Sequence, residues 1–517
     1  MRTRTRLTGV LAAAVGVLLT ATGVVTLGAP QATAVGCTGG TSSDFNGDGI
    51  TDTVIADPDA TVDGVKKAGL VRIVLGGGKG VSEISQALPG MDAIPEAGDS
   101  FGFSRTSYDA DGDGCTDLVV GVPFEDIAKD GKRLVDAGAI YIFHGTPTGI
   151  GAGSKIDEYT QTDFDPVTLT EAYDWFGYAL KAGMTASGKP YLIVGVPGED
   201  VTVNGSNKVD AGCVEYRNGS TVVSVSEESP GVPGSTEEND RFGYSLDGTD
   251  RYFAVGLPGE AVGDQAFAGD VAIFSQTVSD GWPTPLAAID QSSISVGTPE
   301  AGDGFGTSVS MTNYRPSDQS YNSDALLAIG TPGEDVKTTA DAGTFVVVRV
   351  QPAGTVTKVS AADATDDDVE GDAVAGDFLG QRVTISNTDT SVVTTSANVR
   401  LAVGVPGKDT ATVMDAGAIQ IFRPLDSAIG ANDRLLTRGS GLPGMATARD
   451  YLGMALASGT TNLYVGVPFS KEANSSKGVL YVLPWTDTDG TTSTGTTTYL
   501  PGQGGLPDVG EAFGTVG

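Results

Sequence analysis

The sequence predicts an all-β fold, a seven-bladed β-propeller whose ring is closed by the C-terminal strand. Three observations predict it. A signature consisting of an acidic residue, any residue, Phe or Leu, then Gly recurs seven times at intervals of 61 to 75 residues. Each of the first six copies runs into a short apolar segment ending in Gly-x-Pro, and an Ala-Gly pair then opens a segment of alternating apolar residues. Such self-similarity marks a repeat architecture, in which units too small to bury a core alone stack on their neighbours.

The signature occupies residues 99–102, 174–177, 240–243, 303–306, 377–380, 450–453 and 511–514. The Gly-x-Pro triplets end at Pro123, Pro197, Pro258, Pro332, Pro406 and Pro468, with Ala56-Asp57-Pro58 as a degenerate first copy. The Ala-Gly pairs end at Gly69, Gly138, Gly212, Gly269, Gly343 and Gly417, and Lys477-Gly478 is the weakest copy. Between these marks lie short strands separated by Gly, Pro, Asn and Asp, and no run is long and amphipathic enough for a confident helix. This matches one four-stranded propeller blade per unit. Phe or Leu beside Gly suits a side chain that plugs the gap between blades while the glycine lets two backbones approach. The Pro lacks a donor and belongs where a strand stops pairing. The first unit has no Phe-Gly strand before it, and residues 511–514 have no blade after them, so the last segment is expected to complete the first blade and remove two exposed edges.

Two loops carry the chemistry. Asp44, Asn46, Asp48 and Asp52 in the first unit, and Asp109, Asp111, Asp113 and Asp117 in the second, place oxygen side chains at loop positions 1, 3, 5 and 9, with glycine at position 6. A hard cation such as Ca2+ takes six to eight oxygen ligands, and alternate residues of a tight loop converge on one centre. Ile50 and Cys115, at position 7, would donate backbone carbonyls. Position 12 is Ile55 or Val120 rather than the Glu of an EF-hand, so the ninth-position Asp52 or Asp117 is expected to complete the shell. We therefore expect two Ca2+ sites, and plain hairpins in units three to seven.

The combination of Phe-Gly, Asp-x-Asp-x-Asp-Gly-x-x-Asp, Gly-x-Pro and Ala-Gly resembles the FG-GAP repeat of the integrin α-chain propeller and its bacterial secreted relatives. The second unit, from Phe101-Gly102 through Gly121-Val122-Pro123 to Ala137-Gly138, is close to a full match. The resemblance implies a seven-bladed propeller, calcium in the loops quoted above and a role in extracellular recognition. With two calcium loops and no leg domains or membrane span, integrin-type signalling is not implied. A second relative is the glycosylphosphatidylinositol-specific phospholipase D type, in which such repeats follow a zinc-dependent domain; few residues separate the expected cleavage site from the first loop here, and the histidines are too few for that zinc chemistry.

Arg2, Arg4 and Arg6, an apolar stretch over residues 7–27 and the triplet Ala32-Thr33-Ala34 read as a signal peptide, residues 1–34, ahead of a propeller at residues 35–517. The mature chain is expected to be secreted, without a membrane span, and monomeric. Its leader contains three arginines and no acid, so its removal shifts the formal charge from −34 to −37. That charge disfavours nucleic acid and anionic lipid and favours cations and basic partners. The single histidine, His144, follows an alternating strand and reads as a surface strand-end residue. No G-x-S-x-G elbow or Walker loop is present. The three cysteines allow one disulfide; Cys37 and Cys115 lie in neighbouring units and are candidates for it, and Cys213 reads as a buried free thiol.

After Gly-x-Pro come Glu125-Asp126, Glu199-Asp200, Glu334-Asp335 and Lys408-Asp409, while Asp136, Asp210, Asp341 and Asp415 precede Ala-Gly pairs. In a propeller these loops share one face, giving an acidic ring that is either a set of solvated loops or a cation-assisted docking surface. The expected function is a calcium-binding adhesion or ligand-binding module for an extracellular protein or polysaccharide. The competing class is a secreted hydrolase, phospholipase-D-like or a carboxylate-based glycosidase or esterase, working on that acidic face.

Overall fold

The structure, a computed structural model, describes residues 37, 43–366, 368–471, 477–489 and 494–516. The expected signal peptide lies outside the described residues. Seven blade sheets of three to five strands follow one another along the chain, antiparallel except for one short parallel pair in blade 6, and two two-stranded hairpins, Ile127–Lys129 with Lys132–Leu134 and Val201–Val203 with Ser206–Lys208, lie in the links of blades 2 and 3. Blade 1 holds Thr53–Asp57, Leu70–Leu75 and Gly80–Ile84. Blade 2 holds Ser104–Tyr108, Asp117–Val122, Ala139–Phe143 and Ile156–Tyr159. Blades 3, 4, 5, 6 and 7 begin at Leu180, Ser245, Ser308, Val383 and Ala455 and repeat the order, with a short fifth strand, Gly441–Leu442, on blade 6. The α-helix is limited, among the described residues, to one turn at Gln161–Phe164, started by a Thr160 and Asp163 capping box.

The core lies between blades. In the second strand of blade 2, Leu118, Val120 and Val122 join a cluster with Val71 and Ile73 of blade 1. Val119, between them, joins Leu192 and Val194 of blade 3. Alternate residues of a strand point to opposite faces, so a sheet covered on both sides reads as an unbroken apolar run.

Each seam is sealed by the recurring signature of the next unit. Phe101, Phe176, Phe242, Phe305, Leu379, Leu452 and Phe513 are all buried. The glycine of Gly-x-Pro meets the next signature glycine backbone to backbone: a methyl at Gly121, Gly195, Gly256, Gly330, Gly404 or Gly466 would overlap the carbonyl oxygen of Gly177, Gly243, Gly306, Gly380, Gly453 or Gly514. The glycines of the Ala-Gly pairs, and Gly478, lie against the next Phe or Leu backbone with φ between 74° and 100°. A side chain is excluded there twice, by contact and by conformation.

The tail closes the ring by the same means. Phe513 bridges Gly478 of blade 7 in parallel, and Thr515 bridges Ala56 of blade 1 in antiparallel fashion. Gly514 donates its N–H to the Ala56 carbonyl at 3.0 Å, and Ala512 donates its N–H to the Asp57 carboxylate at 2.7 Å. The missing strand of blade 1 is thus supplied by the C-terminal segment, as a single bridge instead of a full ladder. Cys37 and Cys115 form a disulfide with Cα atoms 5.1 Å apart, and Cys213 is a buried free thiol.

Gly195→Ala is expected to lower stability by ~3 kcal/mol, because neither backbone at the seam can retreat. Gly151→Ala, whose new methyl would have its nearest atom 3.8 Å away, should stay within ~0.5 kcal/mol of wild type. Urea denaturation monitored by tryptophan fluorescence checks both; equal effects would refute the seam.

Candidate metal centre

The two acidic loops lie side by side, the first leading into Thr53–Asp57 of blade 1 and the second joining the first and second strands of blade 2. Thr116 donates its N–H to the Asp44 carbonyl at 3.1 Å and Thr146 donates to the Phe45 carbonyl at 3.2 Å, so the loops of blades 1 and 2 share backbone bonds as well as the disulfide. In the first loop the Asp44 carboxylate accepts N–H groups from Asp48 at 3.1 Å and Gly49 at 2.8 Å. Asn46 Oδ1 accepts from Asp48, and Asp48 accepts from Ile50 and pairs with Lys79 at 2.6 Å. That lysine holds the Asp48 carboxyl below its ordinary range. The side chains at positions 1, 3 and 5 thus cap the tight turn they flank.

The ninth-position aspartates anchor each loop to its blade. Asp52 accepts from Phe45 at 2.9 Å and from Gly76 at 2.8 Å; Asp117 accepts from Ala110 and from Gly145, both at 2.8 Å. Burial raises both carboxyls, Asp117 to about 6. Each of these four oxygens accepts one backbone N–H, and Asp117 also faces His144, with which it and Asp111 form a group. At position 7 the Ile50 side chain is exposed and the Cys115 sulfur is in the disulfide, so only their carbonyls are available as ligands. In the second loop Asp109, Asp111 and Asp113 each bring an oxygen within 4.8 Å of the others. This all-oxygen donor set fits Ca2+.

His144 is a correction to the sequence reading. It sits at the end of its strand but is buried, with Nδ1 3.3 Å from Asp111 and 3.4 Å from Asp117, and Nε2 2.8 Å from Asp157. Three carboxylates draw the ring inward, which no strand pattern reveals. Asp157, which burial alone would raise, is held below its ordinary value by Lys155 and His144.

With this geometry in place, the comparisons with known proteins can be set against it. Residues 101–143 match the FG-GAP repeat. Integrin alpha-5 of Xenopus laevis is 32% identical over 169 residues, covering 31% of this chain and 15% of the relative. The chain is a β-propeller that carries the FG-GAP repeat and resembles integrin α chains. Integrin alpha-PS2 of Drosophila melanogaster is 33% identical over 169 residues, 31% of this chain and 11% of the relative. The phosphatidylinositol-glycan-specific phospholipase D of Mus musculus is 27% identical over 163 residues, 30% of this chain and 17% of the relative. The chain therefore matches less than a fifth of the length of each of these relatives.

On the opposite face of the propeller, the acidic ring departs from both sequence readings. Its aspartates fix loop shape: Asp126, Asp200, Asp335 and Asp409 accept the N–H groups of Asp136, Asp210, Asp341 and Asp415 at 2.8 to 3.1 Å. Those four donors have φ near +50°, a strained backbone held in place by the bond. Its glutamates dip into the blade seams. Gln86 donates to Glu125 at 2.5 Å, Gln161 to Glu199 at 2.8 Å and Gln291 to Glu334 at 2.5 Å, each beside a signature aspartate, Asp99, Asp174 or Asp303. At the later seams a cation takes this place, Lys408 on Asp377 at 2.8 Å and Arg438 on Asp450 at 2.9 Å. Sequence reasoning missed these seam contacts; the recurrence of Glu two residues after Gly-x-Pro was the available signal.

Burial first, and neighbouring acids second, push Glu125 up to about 8. A carboxyl ordinarily at 4.5 and raised in the folded state takes up a proton on folding between those two values, so its contribution to stability falls as pH rises through that window. Glu125→Gln should leave the melting temperature unchanged near pH 4 and raise it near pH 9. A thermal-melt series across that range checks this, and a pH-independent difference would contradict it.

Proposed function

We propose that this protein is a secreted, calcium-binding propeller that acts as a monomeric extracellular binding or adhesion module. The observation that carries the reading is the convergence of Asp109, Asp111 and Asp113, in a loop bonded to a second loop of the same design. Asp44, Asn46, Asp48 and Asp52 would hold one Ca2+, with the Ile50 carbonyl; Asp109, Asp111, Asp113 and Asp117 would hold the other, with the Cys115 carbonyl. A bound cation neutralises clustered carboxylates and ties both ends of each loop to one centre. It would supply rigidity to the loop face and leave the propeller rim to recognition.

Secretion is supported by the leader-like first residues and by the disulfide, a bond that persists in oxidising compartments. No helix among the described residues is long and apolar enough to cross a membrane. The same face carries a place for a ligand. A cleft of about 610 Å³ opens among the hairpins of blades 3, 4 and 5, lined by Thr185, Asn218, Asp250, Arg251 and Tyr321. Arg251 lies 4.8 Å from the centre of the exposed Tyr321 ring. An aromatic face ringed by hydroxyl, amide and charged groups suits a polysaccharide or a polar protein segment.

Calorimetric titration with Ca2+ should show binding at both loops, and Asp48→Ala and Asp113→Ala should each abolish one of these sites. Immobilised protein should retain labelled cell-wall polysaccharides or matrix proteins in Ca2+ more than in EDTA, and Tyr321→Ala should weaken retention. Loss of no calcium site in either variant would overturn the metal assignment. Turnover of esters, phosphodiesters or polysaccharides, abolished by a single carboxylate substitution, would instead establish the hydrolase.

A further inference from the structure

The seam between blades 3 and 4 breaks the rule kept by its neighbours. Register fixes the comparison. Ile84, Tyr159, Val225 and Ile289 are equivalent residues of the outer strands, paired with Val71, Ile140, Val214 and Val271. Two residues after each comes the group that faces the next blade: Gln86, Gln161, Glu227 and Gln291. At three seams this group is an amide that donates a hydrogen bond to the glutamate after Gly-x-Pro. At the fourth it is a carboxylate, Glu227, facing the glutamate Glu260 and the signature aspartate Asp240.

This trio has the features of a ligand set. One oxygen from each of Glu227, Asp240 and Glu260 lies within 4.8 Å of the others. Glu227 is 8% exposed and Asp240 is 1% exposed. Glu227 Oε2, Asp240 Oδ1 and Glu260 Oε2 are all buried and have no hydrogen-bond partner outside the trio itself. At the Gln86 and Gln291 seams one neutral amide oxygen is left in that condition, and at the Gln161 seam that oxygen and Glu215 Oε2, whereas here three ionisable oxygens are. The remaining Asp240 oxygen is held by the Glu237 N–H at 2.5 Å, which fixes the carboxylate in place. None of the three forms an ion pair with Lys or Arg among the described residues, although Lys408 and Arg438 perform that service at later seams. Buried carboxylates pressed together without a counter-charge are strongly unfavourable, and a coordinated cation is one of the few arrangements that satisfies them.

We propose that Glu227, Asp240 and Glu260 bind a hard divalent cation of the calcium class, a third site, on the face opposite the two acidic loops and within the seam of blades 3 and 4. Three carboxylate oxygens from three chain segments, completed by water, suit the flexible coordination of Ca2+ better than the strict octahedron of Mg2+. The cation joins the end of blade 3 to the first and second strand segments of blade 4, where Gln86, Gln161 and Gln291 use a hydrogen bond. The site is independent of the two loops.

Glu227→Gln is the deciding variant, because glutamine is the native residue at three equivalent seams and the fold accommodates it there. Calorimetric Ca2+ titration of Glu227→Gln should show one equivalent fewer than wild type, or one site weakened at least tenfold. In EDTA the variant should melt above wild type, and saturating Ca2+ should raise wild type more than the variant. Asp48→Ala/Asp113→Ala, tested in parallel, should keep the equivalent that Glu227→Gln removes, so that failure of the loop sites and failure of the seam site read out separately. Glu260→Gln, with folding checked by circular dichroism, should reproduce the loss. Unchanged calcium stoichiometry and affinity in Glu227→Gln and Glu260→Gln would overturn the proposal and leave the trio as acids that share protons. A Mg2+ titration giving equal affinity would overturn the calcium-class assignment.

Discussion

The structure depends on one contact, repeated around the ring, in which the backbone of each Phe-Gly or Leu-Gly signature lies directly on two glycines of the blade before it, with Ala56 in place of one of them in blade 1. Apolar burial drives the blades together, but it is not directional. The glycine contacts are, because a carbonyl oxygen fits against a Cα hydrogen and nothing larger. They set how near two blades come, and the neighbouring Phe or Leu fills what space is left. A ring of seven such seams leaves no blade with a free face, and the tail makes the last seam with the same residues as the others, Phe513 and Gly514 against Gly466 and Gly478.

That geometry divides the chemistry between two faces. Hairpins between first and second strands emerge on one side, where that of blade 2 and the segment leading into Thr53–Asp57 of blade 1 become acidic loops anchored by Asp117 and Asp52 and fastened together by Cys37 and Cys115. Links from Gly-x-Pro to Ala-Gly emerge on the other, and there the chain must turn sharply while passing close to the next blade. Aspartates stabilise the turn, and glutamates reach into the seam. The strongly negative chain therefore does not wear all its charge on the surface; several carboxyls sit in the seams, satisfied by amides, by Lys408 and by Arg438. A buried acid with such a partner is tolerable, whereas an acid among acids is costly.

How much of this was legible follows from what each residue answers to. The number of blades, the seam glycines and the role of Phe513 could be read because a steric requirement permits one residue type and so leaves a repeating mark. The two loops could be read because a turn lined with oxygens needs Asp and Gly at fixed offsets. The Cys37 and Cys115 pair was open on sequence and is present in the structure. His144 was misread because its burial is set by Asp111 and Asp117 from the loop and by Asp157 from the next strand, contacts that alternation along its own strand does not encode. The glutamates after Gly-x-Pro were misread for a related reason: a loop residue rich in polar neighbours looks solvated, and only the close approach of the next blade buries it. Glu227 stands out only once register aligns it with Gln86, Gln161 and Gln291.

Amide hydrogen exchange, resolved along the chain, tests the central claim most directly. If the seven seams form one closed ring, the amides of Ala512 and Gly514 will exchange as slowly as the inner-strand amides of blades 3 to 5, all opening only with global unfolding. Rapid exchange at residues 511–516 and along Thr53–Asp57, with the remaining blades still protected, would show that the tail rests on an edge and does not close it.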